Sequence, residues 1–433
     1  MNLRTRPPTF ESGESAGFGA ATARSGVSGG SVRLAAIERL LVYASRAIVP
    51  LAALTPIEAR AERERLTGAL RAGHALAPRW HYAPPPADDG LRRALDAAES
   101  VLARAPEGPL DALYVGRIRE LALEAALCAA AGTRELGRLA TARYAASEAG
   151  RGTPRGEREP QATALCARWL ASSGGASSGS ARAHPSAGTV RRAASFATCL
   201  ALRSDDPHAG SLLQRMRAEV GRLGLPFSVQ AAPALAALAA TGEDVILVAT
   251  GRMLTAEVVE RTVLHEVHGH AWPRVRARYA SSVLFRAGTA RGVDEQEGRA
   301  LWLERRTGWL GTARKRQLAT RHDAACAMVD GASFADVVCR LVRMHGASPE
   351  EAVVVAERVF RGSDGTFPGL GRERVYLPAL LRVQARLEDK PDDEPVLASG
   401  QIAVDAVDAL RPYAPPVEHH STKRMPRRGD ERD

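Results

Sequence analysis

Ten residues constrain this chain more than any other stretch, because Val263-Leu264-His265-Glu266-Val267-His268-Gly269-His270-Ala271-Trp272 crowds three imidazoles and a carboxylate into one segment. The surrounding pattern is helical. Thr255 offers an N-cap, Glu257 sits in the first turn where the helix dipole favours it, and Val259, Val263 and Val267 repeat every four residues; Pro273 predicts the end. The spacing is not the common zinc pattern of two histidines four apart, since the residue four after His265 is Gly269. It is His-Glu-x-x-x-His. At about 100° per residue a regular helix sets His265 and His270 roughly 140° apart, too far round to share one ion. A local turn with i→i+5 bonding repairs this; such turns recur at functional sites, and Gly269 has no side chain to obstruct one. On the same arithmetic Glu266 and His270 lie close to the valine face. His268 falls on the opposite side and is expected to be an exposed bystander.

A catalytic zinc site takes three protein ligands, commonly two His and a Glu, and keeps a position open for water. The third ligand must come from elsewhere in the chain. In Asp294-Glu295-Gln296-Glu297-Gly298-Arg299-Ala300-Leu301-Trp302-Leu303-Glu304, positions Glu297, Ala300, Leu301 and Glu304 share one helical face. Glu297 is the candidate ligand, and Glu304 a candidate for orienting a histidine. Glu266, adjacent to a ligand, is then placed to take a proton from the water on the metal and pass it to a leaving amine. These residues point to a hydrolytic metal site acting on a peptide or amide bond.

The 433 residues are 45% hydrophobic, enough for one large or two ordinary domains. The expected class is a mainly helical α+β fold: a zinc-metallopeptidase-like catalytic domain with a small sheet beside the His-Glu-x-x-x-His helix. Gly, Ser and Pro predict a disordered leader over 1–32 and a mobile insert over 150–194, apart from one apolar patch at Trp169. Helical periodicity dominates 33–148. The zinc-site part spans 195–388, with strands expected at Phe227–Gln230 and Val245–Ala249. Ser348-Pro349-Glu350-Glu351 predicts an N-capped helix running to Arg361 and stopping at Gly362. An acidic, then proline-rich, then basic stretch predicts a frayed tail over 389–433.

No window is apolar enough for a membrane span and no secretory signal opens the chain, so a soluble, cytoplasmic protein is expected. The five cysteines are far apart and read as buried thiols. The net charge of +10 is nearly all arginine scattered among carboxylates, which argues against a nucleic-acid surface.

The helix with His265-Glu266 and His270, followed by Gln296-Glu297-Gly298, resembles the family of microtubule-associated tyrosine carboxypeptidases and their bacterial QEGLA-motif relatives. The upstream RELALEAALCAAAGTRELGRLATARYAAS and the later VFRG and RERVYL are similar to elements of that family, so the resemblance covers most of residues 35 to 388. It implies a zinc carboxypeptidase that removes a C-terminal aromatic residue from a peptide or protein. Its ligands would be His265, His270 and Glu297, with Glu266 as catalytic acid and base. Arg358, Arg361, Arg372 and Tyr376 would line the substrate end, one arginine clamping the terminal carboxylate and Tyr376 donating to the developing oxyanion. The chain departs from its relatives at Arg299, where they read leucine, after His270, where it continues Ala271-Trp272-Pro273, and at Arg372-Glu373, in place of Lys-Asp. The alternative is a zinc-binding regulatory protein whose site is silent because a fourth protein ligand, such as His268, closes it.

Overall fold

The computed structural model describes residues 29–84, 89–104, 108–148, 160–172, 201–233, 235 and 237–416. These form a mainly helical α+β architecture with two small sheets. Helices Gly29–Ala47, Asp89–Arg104 and Asp111–Ala129 line up the apolar residues Leu41, Leu95, Ile118 and Leu121 at helical spacing and bury them in one core. Phe285, Val383 and Leu387 close that core from the C-terminal half.

Strands β1 (Leu202–Arg203), β2 (Ser228–Ala232), β3 (Ala239–Thr241), β4 (Val245–Ala249) and β5 (Met253–Leu254) make up the sheets. β1 pairs antiparallel with β5. In the other sheet β4 is central, parallel to β2 and antiparallel to β3. Alternation along β4 buries Ile246 and Val248, which share a core with Val259, Val263 and Val267 and with Met216 and Val220 of helix Leu212–Arg222. The valine face read from the sequence is therefore the face that docks on the sheet, and it sets the rotation of the histidine-bearing helix.

That helix is α-helical over Ala256–Val263, π-helical over Leu264–Ala271 and α-helical again over Trp272–Ala277. Pro273 does not end it. The proline lies at the second residue of the α segment that follows the π turn, and the helix continues through it.

Helix Gly292–Arg306 runs through the middle of the molecule with most of its side chains buried. Two glycines let it be central. A Cβ on Gly269 would stand 2.7 Å from Ala300 Cβ, and one on Gly298 would stand 2.4 Å from the backbone of Ala379 in helix Tyr376–Asp389. Gly269 thus serves close helix approach as well as the turn.

Two boundaries differ from the sequence expectation. Residues 160–171 of the presumed mobile insert form a helix whose Ala162, Leu165, Cys166 and Trp169 are buried, with the Cys166 thiol bonding the Ala319 carbonyl at 3.4 Å. The apolar patch at Trp169 is the buried face of this helix; residues 173–200 lie outside the described set. The presumed tail is folded to Pro416. Helical turns at Pro391–Asp393, Glu394–Leu397, Val404–Ala406, Val407–Leu410 and Arg411–Tyr413 bury Val396, Leu397, Ile402, Val407 and Leu410 in the first core. Three of its carboxylates are paired: Asp393 with Arg386 and Arg411, Glu394 with Arg299, Asp405 with Arg291.

The capping box at Ser348 and Glu351 forms, the helix ends at Val359, and the chain turns at Gly362 with φ 85°. Cys166 and Cys326 are buried, while Cys128 and Cys339 are only half-buried; Cys199 falls outside the described residues. The same holds for residues 1–28 of the leader and 417–433 of the tail. No described helix is long and apolar enough to cross a membrane.

Candidate metal centre

The π segment brings the rings of His265 and His270 edge to face, with centroids 5.0 Å apart. Glu297 reaches them from the central helix, its Oε2 standing 3.3 Å from His265 Nε2 and 3.6 Å from His270 Nε2. The ligand atoms of the three residues lie within 4.8 Å of one another, and this is the only such convergence of His, Cys, Asp or Glu among the described residues.

Both imidazoles are held from behind. His265 Nδ1 lies 2.8 Å from Glu304 Oε1, and Glu304 is fully buried and accepts two hydrogen bonds from Arg314. His270 Nδ1 lies 2.9 Å from Gln296 Oε1, and the Gln296 amide donates to the Gly400 carbonyl. Each Nδ1 thus has a fixed partner, which aims each Nε2 lone pair inward as a metal ligand needs. Two imidazole nitrogens and a carboxylate oxygen form a donor set that suits zinc with an open position.

Burial disfavours the ionised Glu297 carboxylate, yet the two histidines and Arg372 hold it well below the usual carboxylate range. Burial likewise works against a protonated His265, but bonding to Glu297 and Glu304 pushes that ring up to about 10 without a metal. The geometry is that of a pocket already organised around a positive charge.

Glu266 lies beside the cluster and outside it. Its Oε2 accepts a 2.8 Å hydrogen bond from the Thr241 hydroxyl on β3, so sheet and helix together fix the carboxylate. His268 points away from the three ligands, as the helical arithmetic expects, but it is not exposed. It is buried, with Nε2 2.6 Å from Glu219 on helix Leu212–Arg222, which the local pattern gave no way to anticipate.

The arginines divide by partner. Arg372 donates to Glu297 Oε1 at 3.1 Å, on the side away from the imidazoles. Arg358 is committed to Glu373 through Nε at 2.7 Å and Nη2 at 2.6 Å. Arg361 makes no ion pair among the described residues, and burial together with the charge of Arg358 pulls its guanidinium below the ordinary value. Arg321, on helix Thr312–Val329, was not singled out from the sequence. It reaches Glu373 only at 4.0 Å, its Nε has no partner, and burial with Arg358 lowers it to about 10. No local motif marks Arg321; only packing against Arg358 and Glu373 reveals it. Tyr376 is buried beside Glu297, Glu373, Arg372 and Arg358, and burial with the two carboxylates pushes its phenol up to about 12.

Compared with known proteins, residues 70–415 match the family model described as microtubule-associated tyrosine carboxypeptidase. A search of curated proteins finds no match.

Proposed function

We propose that this chain, which belongs to the microtubule-associated tyrosine carboxypeptidase family, is a zinc metallocarboxypeptidase that releases the last residue of a peptide or protein, with preference for an aromatic one. His265 Nε2, His270 Nε2 and Glu297 Oε2 would hold the ion. Zinc in that position supplies Lewis acidity to the scissile carbonyl and lowers the pKa of water.

The chain's own residues do the rest. Glu266, oriented by Thr241 and not needed as a ligand, accepts the proton of the attacking water and returns it to the departing amine. Tyr376 stays protonated at neutral pH and donates to the oxyanion that develops on the carbonyl. Arg361, helped by Arg321, takes the free carboxylate. Both border the Arg358–Glu373 pair, and neither has a full carboxylate partner of its own. Arg358 and Arg372 are spent on Glu373 and Glu297 and serve as supports. The aromatic preference rests on the family.

The observation that carries this reading is the inward convergence of two back-bonded imidazoles and Glu297 with Glu266 left over beside them. A silent, closed site needs a fourth protein ligand, and His268, the residue at hand, is engaged with Glu219. The test is mass spectrometry on a peptide pool varied at the C-terminal residue, with zinc-loaded protein beside its Glu266→Gln variant. Loss of one terminal residue, greatest for Tyr and Phe, is expected from the former. The variant should keep its zinc and lose about 10²–10⁴-fold in rate. Undiminished turnover in Glu266→Gln would remove Glu266 from the mechanism, and no cleavage by zinc-loaded protein would return weight to the silent site.

A further inference from the structure

The residue after Gly298 is Arg299, 3% exposed in the middle of the central helix. A guanidinium in such a place needs a reason, since burial of a charged group is costly unless it is paired and hydrogen-bonded. Its Nη2 meets Glu394 Oε1 at 2.6 Å, which accounts for its charge. Its Nη1 donates 3.1 Å to the backbone carbonyl of His268, inside the π segment between the two metal-facing histidines.

That carbonyl has lost its ordinary partner. In i→i+5 bonding the Trp272 N–H goes to Val267 O, and the next donor in register, owed to His268 O, belongs to residue 273. Residue 273 is proline and has no N–H to give. The His268 residue is buried, so water is a poor substitute. We propose that Arg299 is a positioning residue for the metal ligands, supplying across the helix interface the hydrogen bond that Pro273 withholds from the π turn. Arg299 and Pro273 are then one compensated pair. Glu394 holds the guanidinium in line, which links the segment at 391–397 to the ligands. This inference rests on the metal reading of the site for its effect on zinc, and on the bond alone for its effect on the fold.

A rescue cycle tests it. Arg299→Leu should weaken zinc binding, measured by chelator competition, by about tenfold or more, the usual range when a group supporting a ligand is lost. It should also lower the melting temperature of the metal-free protein. Pro273→Ala restores an N–H for His268 O, so R299L/P273A should return both quantities to the values of P273A alone. If R299L does not fold, R299L/P273A must fold. An unchanged R299L, a double variant as defective as R299L, or rescue by Glu394→Gln in place of Pro273→Ala would each overturn the proposal. Wild-type protein that binds no zinc would sink the functional reading, while the melting-temperature cycle would still decide the role of Arg299.

Discussion

Glu297 uses its two oxygens for different ends: Oε2 faces both imidazoles and Oε1 receives Arg372. The consequence separates two arginines that look equivalent in the sequence. Arg372→Met should lower zinc affinity, because it frees Glu297 to rotate. Arg361→Met should leave zinc affinity alone and cost about 1.5–3 kcal/mol of binding to a substrate carboxylate, the usual worth of a charged hydrogen bond. That corresponds to about 10- to 160-fold in kcat/KM for peptides with a free C-terminus. Chelator competition and steady-state kinetics on both variants give the split, and a zinc defect in R361M with normal kinetics would reverse the assignment. His265, Glu266 and His270 could be singled out as chain neighbours, and Glu297 by the helical face it shares with Glu304. Arg321 and the partners of Arg358, Arg361 and Arg372 could not, since which guanidinium remains unpaired depends on contacts between helices distant in sequence.

At the scale of elements, the π turn was readable from the five-residue spacing of two histidines, because an α-helix cannot present them together. The depth of helix approach was not readable. Gly269→Ala should destabilise the protein by about 1–3 kcal/mol, as overpacking of a close interface does, and should weaken zinc binding with it. Since the obstructing atom is the Ala300 methyl, the paired change Gly269→Ala with Ala300→Gly should recover much of the loss in thermal or urea unfolding. Gly298→Ala meets the backbone of Ala379 and has no such remedy among side chains. Equal rescue of both would show that the interface has slack that the distances deny. In the Pro160–Ala171 helix the short apolar patch at Trp169 is buried, and tertiary burial overrides the flanking glycine and serine.

For the molecule as a whole, the segment beyond Asp389 is part of the fold and reaches the metal centre twice, through Glu394 to Arg299 and through Gly400 to Gln296. Truncation after Asp389 removes Val396, Leu397, Ile402, Val407 and Leu410 from the core. At about 1.5–3 kcal/mol for each buried side chain, the loss is comparable with the roughly 5–15 kcal/mol by which domains of this kind are stable. The truncated chain is expected to be unfolded or aggregated in circular dichroism and size exclusion, and a cooperative transition near the wild-type temperature would refute the role given to this segment.

Residue order alone determined the helical class, the strands at β2 and β4, the valine face and the π turn, because each depends on periodicity or on neighbours within a few turns. Tertiary structure decided where the fold ends, which carboxylate each arginine serves, why residues 269 and 298 must be glycine, and how the His268 carbonyl is satisfied. Those outcomes depend on pairings across many intervening residues, and a local pattern holds no record of which distant partner will fill a buried donor, acceptor or space.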